Sequence, residues 1–284
     1  MVVSTYRSIR RKRHQNIRGC KKIIKARISF QAPVVVLIAI FLSGTQYAVA
    51  FEDGYGSLTG QFILDGKVPN RKLLVKKGDT TVKDASCCAA QEVPSDELVI
   101  DEKTKGIQHI FIYKRKAKTV HPKWKLSKIK ELVFDQKGCR FRPHTLVVRT
   151  DQQVVVQSDD PIGHNTHTYP INPLNPAMNF VLNPSDRVGV KVHYEASEIL
   201  PTMIKCDIHP WMKAYWLIVD HPYAAVTDTQ GKFTIKDLPT GEHKFRVWHE
   251  RVGYIERKFK VTVTSGETTK LQPIKVPVAR FEED

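Results

Sequence analysis

The sequence predicts a mainly β protein whose strands pack as a sandwich or a Greek-key barrel. After residue 51, no stretch of helix length shows an amphipathic pattern with helical periodicity. Short runs of β-branched and alternating residues recur instead, and Gly, Pro, Asn and Asp separate them. Strands at this spacing, with turn residues between them, are typical of two-layer β folds. With 284 residues, the chain is long enough for one large domain or two ordinary ones.

The first 50 residues have the composition of a secretory signal. They contain ten Lys and Arg residues and no acidic residue, followed by an apolar run at 32–42 and by Ala48-Val49-Ala50. A basic segment, a short apolar run and an Ala-x-Ala site are the three parts of a signal peptide. The apolar run is shorter than the roughly 20 residues that span a bilayer. We predict a periplasmic or secreted protein cleaved after Ala50, with membrane attachment only if this segment is retained as an anchor.

The net charge of +16 does not by itself indicate a nucleic-acid partner. Because residues 1–50 hold ten of the 45 basic residues, the rest of the chain carries 35 basic and 29 acidic residues. This mildly basic remainder lacks a folded motif that interleaves basic and aromatic residues, so we predict no nucleic-acid binding. A basic surface would instead favour an acidic protein partner.

Candidate strands fall into three stretches after the signal. The N-terminal β region, 51–138, has candidate strands at 58–64, 73–77, 98–101 and 107–113. The second stretch, 139–220, has candidate strands at 145–149, 153–157, 188–194 and 215–219, and the first two are expected to pair. The third stretch, 221–284, continues the β pattern at 224–228, 232–235, 244–248, 258–264 and 269–276.

A candidate metal site lies in the second stretch. The segment Cys206-Asp207-Ile208-His209-Pro210-Trp211-Met212 offers a thiolate, an imidazole and a thioether directly before a predicted strand. These soft ligands, together with imidazole, select copper over Mg²⁺ or Ca²⁺. His164 supplies a second imidazole from 160–167, which we expect to be a loop between two strands. Two His and one Cys with a long axial Met form a type 1 (blue) copper site, so the sequence predicts one copper ion.

The residues at 139–220 resemble the cupredoxins, in particular those of the amicyanin and plastocyanin type. The shared features are Cys-x-x-His-Pro-aromatic-Met at 206–212, the following Lys213-Ala214, and His-Asn-x-His at 164–167. The resemblance implies a cupredoxin-like Greek-key sandwich with His164, Cys206, His209 and Met212 as ligands. It also implies that Asn165 ties the two loops together and hydrogen-bonds toward the Cys206 sulfur. Electrons would leave through an exposed edge of His209, with Pro210 and Trp211 forming an apolar docking rim.

Alternatives to this ligand set stay open. His167 is the rival of His164 as first ligand, and Cys206 could instead be half of a disulfide. Met178 and Met203 are expected to fill the core rather than to bind copper.

Three more cysteines remain after the signal. Export places them in an oxidising compartment, where cysteines pair or bind metal. We predict a disulfide of Cys139 with Cys87 or Cys88, because a bridge between the two neighbours would be strained. The alternative is a second metal site of Cys87, Cys88, Cys139 and His144, although this spacing fits no established zinc pattern.

The third stretch resembles the carboxypeptidase regulatory-like, or transthyretin-like, β-sandwich. The resemblance depends on Thr-Asp-x-x-Gly-x-Phe at 227–233 and on Leu-Pro-x-Gly at 238–241. The first strand of such modules is missing just upstream, but a similar segment occurs at 60–69. We therefore predict a second β-sandwich module at 221–284, with residues 57–76 as the candidate for its completion.

These observations predict an exported one-electron carrier rather than an enzyme. Its partner would be a redox protein: a cytochrome, a dehydrogenase or an oxidase. The sequence has no His-Glu-x-x-His, no Gly-rich phosphate loop and no nucleophile with a clear catalytic partner. The competing hypotheses are a copper storage or delivery protein, a copper enzyme such as a reductase, and a metal-free envelope protein built from β modules.

Overall fold

The computed structural model describes residues 54–282, so the predicted signal at 1–50 lies outside the described residues. The described part is mainly β, which confirms the predicted fold class. Its strands, in chain order, are β1 Tyr55–Asp65, β2 Leu73–Val75, β3 Val93–Pro94, β4 Phe111–Tyr113, β5 Glu131–Gln136, β6 Phe141–Arg142, β7 Thr145–Arg149, β8 Gln153–Ser158, β9 His164–Tyr169, β10 Asn179–Leu182, β11 Val190–His193, β12 Thr202–Lys205, β13 Lys213–Val219, β14 Ala224–Val226, β15 Lys232–Pro239, β16 Gly241–His249, β17 Gly253–Val263, β18 Thr268–Lys270 and β19 Ile274–Pro277.

Helical structure in the described part is short. It consists of α1 at Ala85–Cys88 and two 3₁₀ turns at Pro122–Trp124 and Val278–Phe281. Within residues 54–282, no helix has the length and apolar character needed to cross a membrane.

Strands β5 to β13 form a two-sheet sandwich, called here the central sandwich. One sheet has the order β10-β9-β12-β13-β7 and the other the order β11-β8-β5-β6. Aromatic and β-branched side chains fill the space between them, and the ring of Phe134 meets that of Trp216 edge-on at 4.9 Å. Strand β5 precedes residue 139, where the sequence places the start of this module, yet it pairs in parallel with β8.

The expected pairing of the strands at 145–149 and 153–157 is wrong. Strand β7 pairs in parallel with β13, and β8 pairs with β5 and β11 in the opposite sheet. The turn between β7 and β8 explains the difference. The Gln152 side chain accepts a hydrogen bond from the Arg149 N–H at 2.8 Å and donates one to the Ile129 carbonyl at 2.8 Å. These bonds direct the chain toward β5 rather than back along β7.

The expected loop at 160–167 is also partly wrong, because His164 begins strand β9. This strand pairs with β10 and β12. Its inward residues are polar, and buried Thr166 accepts a hydrogen bond from Gln136 Nε2 at 2.9 Å. A strand that buries threonine and histidine gives no apolar alternation, so the sequence pattern did not reveal it.

The remaining long strands form a second sandwich, called here the terminal sandwich. One of its sheets contains β15, β1, β18 and β19, and the other has the order β14-β4-β16-β17. Strand β1 lies antiparallel to β15 and parallel to β18 and β19. Segments from before and after the central sandwich therefore share one core, which includes Phe62, Ile112, Phe233 and Phe245. Strand β2 pairs with β3 outside this core.

The junction of β1 with the 228–231 turn gives a stability test of this assembly. Gly231 has φ +74°, and a Cβ added there would lie 2.2 Å from the Phe62 carbonyl oxygen. Gly253 has φ +71°, with nothing within 4 Å of an added Cβ. We expect Gly253→Ala to lower the free energy of unfolding by about 1 kcal/mol, because alanine disfavours a left-handed backbone conformation. We expect Gly231→Ala to lower it by about 3 kcal/mol, because the added Cβ also clashes with the Phe62 carbonyl. Denaturant unfolding measures both, and equal losses would contradict the close approach of β1.

The two sandwiches meet through a small apolar cluster. Phe111, Tyr113 and Trp248 of the terminal sandwich pack against Leu217 and Val219 of β13. Strand β13 is therefore buried on both faces, which explains its continuous apolar sequence.

Candidate metal centre

The loop Cys206–Met212 joins two paired strands. Strands β12 and β13 are antiparallel, with Lys205 opposite Lys213. Within the loop the Cys206 N–H donates to the Met212 carbonyl at 3.2 Å, and the Met212 N–H donates to the His209 carbonyl at 2.9 Å. The His209 N–H points at the Cys206 sulfur at 3.4 Å. These bonds hold the loop in place without a metal ion.

Three of the predicted ligand atoms converge at the base of this loop. His164 Nδ1 lies 2.9 Å from His209 Nδ1, which in turn lies 3.8 Å from the Cys206 sulfur. One ligand atom from each of the three residues falls within 4.8 Å of the others. Both imidazoles are 0% exposed and Cys206 is 1% exposed. The structure thus brings together residues from two separate segments in a site closed to water.

Carboxylates hold the far nitrogens of both imidazoles. Asp160 Oδ2 lies 2.9 Å from His164 Nε2, and Asp84 Oδ2 lies 3.0 Å from His209 Nε2. Because a carboxylate accepts hydrogen bonds, each Nε2 carries a proton, and in the neutral form of each imidazole Nδ1 presents a lone pair. Two lone pairs facing each other at 2.9 Å repel unless a cation or a shared proton lies with them. With a buried sulfur beside them, this donor set fits a copper ion.

Hydrogen bonding prepares the sulfur to bind a metal. Burial favours the neutral thiol, but hydrogen bonds from His164 and His209 lower the pKa of Cys206 to about 6. Burial likewise opposes a charged imidazole, yet Asp160 and the Cys206 sulfur raise the pKa of His164 to about 9. These shifts favour a thiolate at Cys206 and a positive charge at His164, carried either by a proton on Nδ1 or by a metal ion in its place.

Asn165 links strand β9 to the cysteine loop. Its backbone amide helps to lower the pKa of Cys206. Its side-chain oxygen accepts from the Asp207 N–H at 2.6 Å and from the Ile208 N–H at 3.3 Å. The segment that carries His164 is thereby tied to the segment that carries Cys206 and His209.

Met212, Pro210 and Trp211 lie together at one side of the loop. Met212 is buried in the same core cluster as Cys206, Trp211 is half-buried and Pro210 is exposed. All three line a cavity of about 220 Å³. The Trp211 ring lies 5.3 Å from the His209 ring, and its Nε1 donates to the Cys139 carbonyl at 3.1 Å. The role of Met212 as axial ligand stays a prediction.

His167 is directed elsewhere. Its Nδ1 lies 3.0 Å from Asp207 Oδ2 and 2.9 Å from the Tyr169 hydroxyl, and its ring stacks on Tyr169. The structure therefore places His164, rather than His167, beside Cys206 and His209.

The expected exposed edge of His209 is not present. The ring is 0% exposed because Asp84, immediately before helix α1, covers its Nε2. Asp84 adopts a left-handed conformation with φ +53°. Docking of a partner directly on the His209 edge, which the cupredoxin resemblance implied, is incompatible with this cover. Sequence reasoning missed both Asp84 and Asp160, although Asp160 lies only four residues before His164.

A disulfide fixes this cover to the central sandwich. It joins Cys88 of helix α1 to Cys139 between β5 and β6, with the Cα atoms 5.2 Å apart, and Cys87 is free. His144 does not join these cysteines. Its Nε2 contacts Glu250 and its ring lies 4.8 Å from that of His109, so the alternative second site with His144 is not formed.

We expect Met212→Gln to keep copper and to shift its reduction potential, because a long axial ligand tunes a type 1 site more than it holds the ion. Copper content and a redox titration measure the two effects. Met203→Gln is the matched control, since Met203 lies on β12 outside the loop and should leave the potential unchanged. Loss of copper from Met212→Gln would contradict the axial assignment.

No family model and no curated protein matches the sequence. Solved structures that the chain is similar to include amicyanins, a purple cupredoxin and a copper-containing nitrite reductase. They include the Cu-containing nitrite reductase of Thermus scotoductus SA-01 (14% identity, 33% of this chain and 23% of that chain, TM-score 0.28). A purple cupredoxin from Nitrosopumilus maritimus has 17% identity, with 32% of this chain and 99% of that chain covered and a TM-score of 0.25. Amicyanin from Paracoccus versutus has 11% identity, with 38% of this chain and 97% of that chain covered and a TM-score of 0.26. The chain thus spans about a quarter of the reductase and nearly the whole of the two small proteins.

Proposed function

We propose that this chain is an exported type 1 copper protein that passes single electrons between partner proteins. The observation that carries the proposal is the convergence of His164 Nδ1, His209 Nδ1 and the Cys206 sulfur within 4.8 Å in a buried site. In this proposal the protein itself transforms no substrate.

Bound copper would supply a one-electron couple between Cu(I) and Cu(II). The chain holds the ligands at fixed positions on β9 and the β12–β13 loop, so little needs to move when the charge changes. The His209 N–H points at the sulfur, and the backbone amides of Asn165 and His209 stabilise its negative charge, which would tune the potential. Asp160 and Asp84 orient the two imidazoles. Burial keeps water away from the ion.

Electron exchange would take place at the side of the loop that stays accessible. Since Asp84 covers His209, the candidate contact surface is the cavity lined by Pro210, Trp211 and Met212. Trp211 connects this cavity to the ring of His209 at 5.3 Å. A cytochrome, dehydrogenase or oxidase with an acidic surface would be the partner, steered by the mildly basic exported chain. The terminal sandwich would act as a carboxypeptidase regulatory-like module that attaches the carrier to a larger assembly.

Complete burial of the ligands disfavours a store that releases copper quickly. A labile store needs an open path to the ion, whereas both imidazoles here are 0% exposed.

The test is the visible spectrum of the exported protein loaded with Cu(II), followed by mixing with a reduced c-type cytochrome whose surface is acidic. We expect an intense thiolate-to-copper absorption band that bleaches by one electron per protein. The bleaching rate should fall as salt is added, because screening weakens steering. Absence of the band would refute the type 1 site, and a band that no redox protein bleaches would refute the carrier role.

A further inference from the structure

A second group of metal-binding side chains lies directly beside the site described above. It consists of Cys87, Cys88, Cys139 and Asp160, called here the thiol cluster. The sulfurs of Cys87 and Cys139 and a carboxylate oxygen of Asp160 lie within 4.8 Å of one another. Cys88 is bonded to Cys139, so its sulfur adjoins the same point. Three sulfurs and one carboxylate therefore meet where helix α1 touches the central sandwich.

The cluster is mostly buried and rigidly held. Cys88, Cys139 and Asp160 are 2%, 0% and 4% exposed, while Cys87 is half-buried and gives access from solvent. Asp160 accepts hydrogen bonds from the Gly138 N–H at 2.6 Å and from the Cys139 N–H at 2.8 Å. The carboxylate is thus fixed on the same peptide segment that carries one of the sulfurs.

Carboxylates lie near the sulfur of Cys87. They belong to Asp160 and Asp84. A bound cation would neutralise the thiolates and the Asp160 carboxylate together.

We propose that reduction of the Cys88–Cys139 disulfide creates a second metal site, at which Cys87, Cys88 and Cys139 bind one Cu(I) ion next to Asp160. A dithiol reductant gives two electrons and two protons to the disulfide, which becomes two thiols, and the reductant leaves as its own cyclic disulfide. Binding of the ion then releases the thiol protons. Thiolates are soft ligands and prefer Cu(I). The choice of copper rests on the proposed function, whereas the ligand set does not.

Asp160 connects the two sites. Its Oδ2 atom accepts from His164 Nε2 at 2.9 Å as well as from the Cys139 N–H. The thiol cluster is therefore linked to His164 of the first site by one hydrogen bond. An ion bound at the thiol cluster would lie close to the first site.

The experiment is an anaerobic titration of the exported protein with Cu(I), buffered by a chromophoric chelator, before and after treatment with a dithiol that is then removed. We expect one bound ion before reduction and two after it. Reduced Cys206→Ser should lose the first ion and keep the second, so failure of the type 1 site and failure of the thiol cluster are distinguishable. Reduced Cys87→Ser should bind the second ion at least about 100-fold more weakly. Loss of a residue that only hydrogen-bonds to a metal ligand already costs up to about 100-fold, and Cys87 is proposed as a ligand itself.

A second variant guards against unfolding on reduction. Cys88→Ser leaves the sulfurs of Cys87 and Cys139 beside Asp160 without a disulfide to Cys88. Having lost one of the three thiolates, it should bind the second ion about as weakly as reduced Cys87→Ser when purified anaerobically. Circular dichroism reports the fold in each case. The proposal is overturned if reduced protein binds a single ion, if Cys87→Ser keeps the second ion unchanged, or if both reduced protein and Cys88→Ser unfold. A preference for Zn²⁺ over Cu(I) would overturn the choice of ion.

Discussion

Cys206→Ser should abolish the intense visible absorption of the Cu(II) protein and leave its β-sheet circular dichroism unchanged. The Cys206 sulfur is the thiolate that faces His209 Nδ1, at 3.8 Å. A serine hydroxyl stays protonated at neutral pH and is a harder ligand, so no thiolate-to-copper transition can remain. The side chain is small and the site is preformed by backbone bonds, so we expect a loss of only about 1 kcal/mol in stability.

Cys87→Ser is the matched control for this substitution. Cys87 is the other free cysteine of the described residues, and it does not belong to the His164–Cys206–His209 group. Its replacement should keep the band and the copper content of the oxidised protein. A band that survives in Cys206→Ser, or disappears in Cys87→Ser, would show that the sulfur has been assigned to the wrong residue.

His164→Ala should destroy the copper site, whereas His167→Ala should keep it. The first change removes a buried imidazole whose Nδ1 lies 2.9 Å from that of His209. It also leaves the Asp160 carboxylate without one of its donors. The second change removes a partly exposed ring bonded to Asp207 and Tyr169, so its effect on stability should stay within about 0.5 kcal/mol.

Copper stoichiometry and electron paramagnetic resonance of the two variants provide the measurement. A narrow copper hyperfine splitting is expected to persist in His167→Ala alone. Because His164→Ala also opens a cavity, unfolding in denaturant should be recorded in parallel to separate loss of the ligand from loss of the fold. If His167→Ala were the variant that lost copper, strand β9 would have to present its opposite face to the metal.

The sequence was most informative where the chemistry is local. Cys206 and His209 lie on one short loop, so their spacing alone brings their ligand atoms close together. Strands were found where apolar residues recur at short spacing, as in β1 of the terminal sandwich and β13 of the central sandwich. Strand β9 was not found, because it buries His164, Thr166 and Thr168 through hydrogen bonds rather than through apolar contacts.

The cover over His209 could not be predicted in the same way. Asp84 and His209 are 125 residues apart, and nothing in the residues around Asp84 indicates a partner. A ligand motif specifies what surrounds the metal but not what packs on the outside of the motif. The prediction of an exposed His209 edge was wrong for this reason. The predicted pairing of β7 with β8 was wrong for a similar reason. Two apolar strands that follow each other closely indicate a hairpin, but here the turn between them is bonded to the Ile129 carbonyl, 23 residues before Gln152.

The pairing of β1 with β15 has a consequence for the order in which the molecule matures. Thr59 and Phe233, joined by a hydrogen bond, are 174 residues apart. The entropy of closing so long a loop must be overcome before the terminal sandwich gains its core, so this module is expected to form slowly. Strands β5 to β13 are contiguous in the chain and can fold first, which shortens the distance that β1 and β15 must search. The central sandwich would thus act as a folding scaffold for the module that encloses it in sequence.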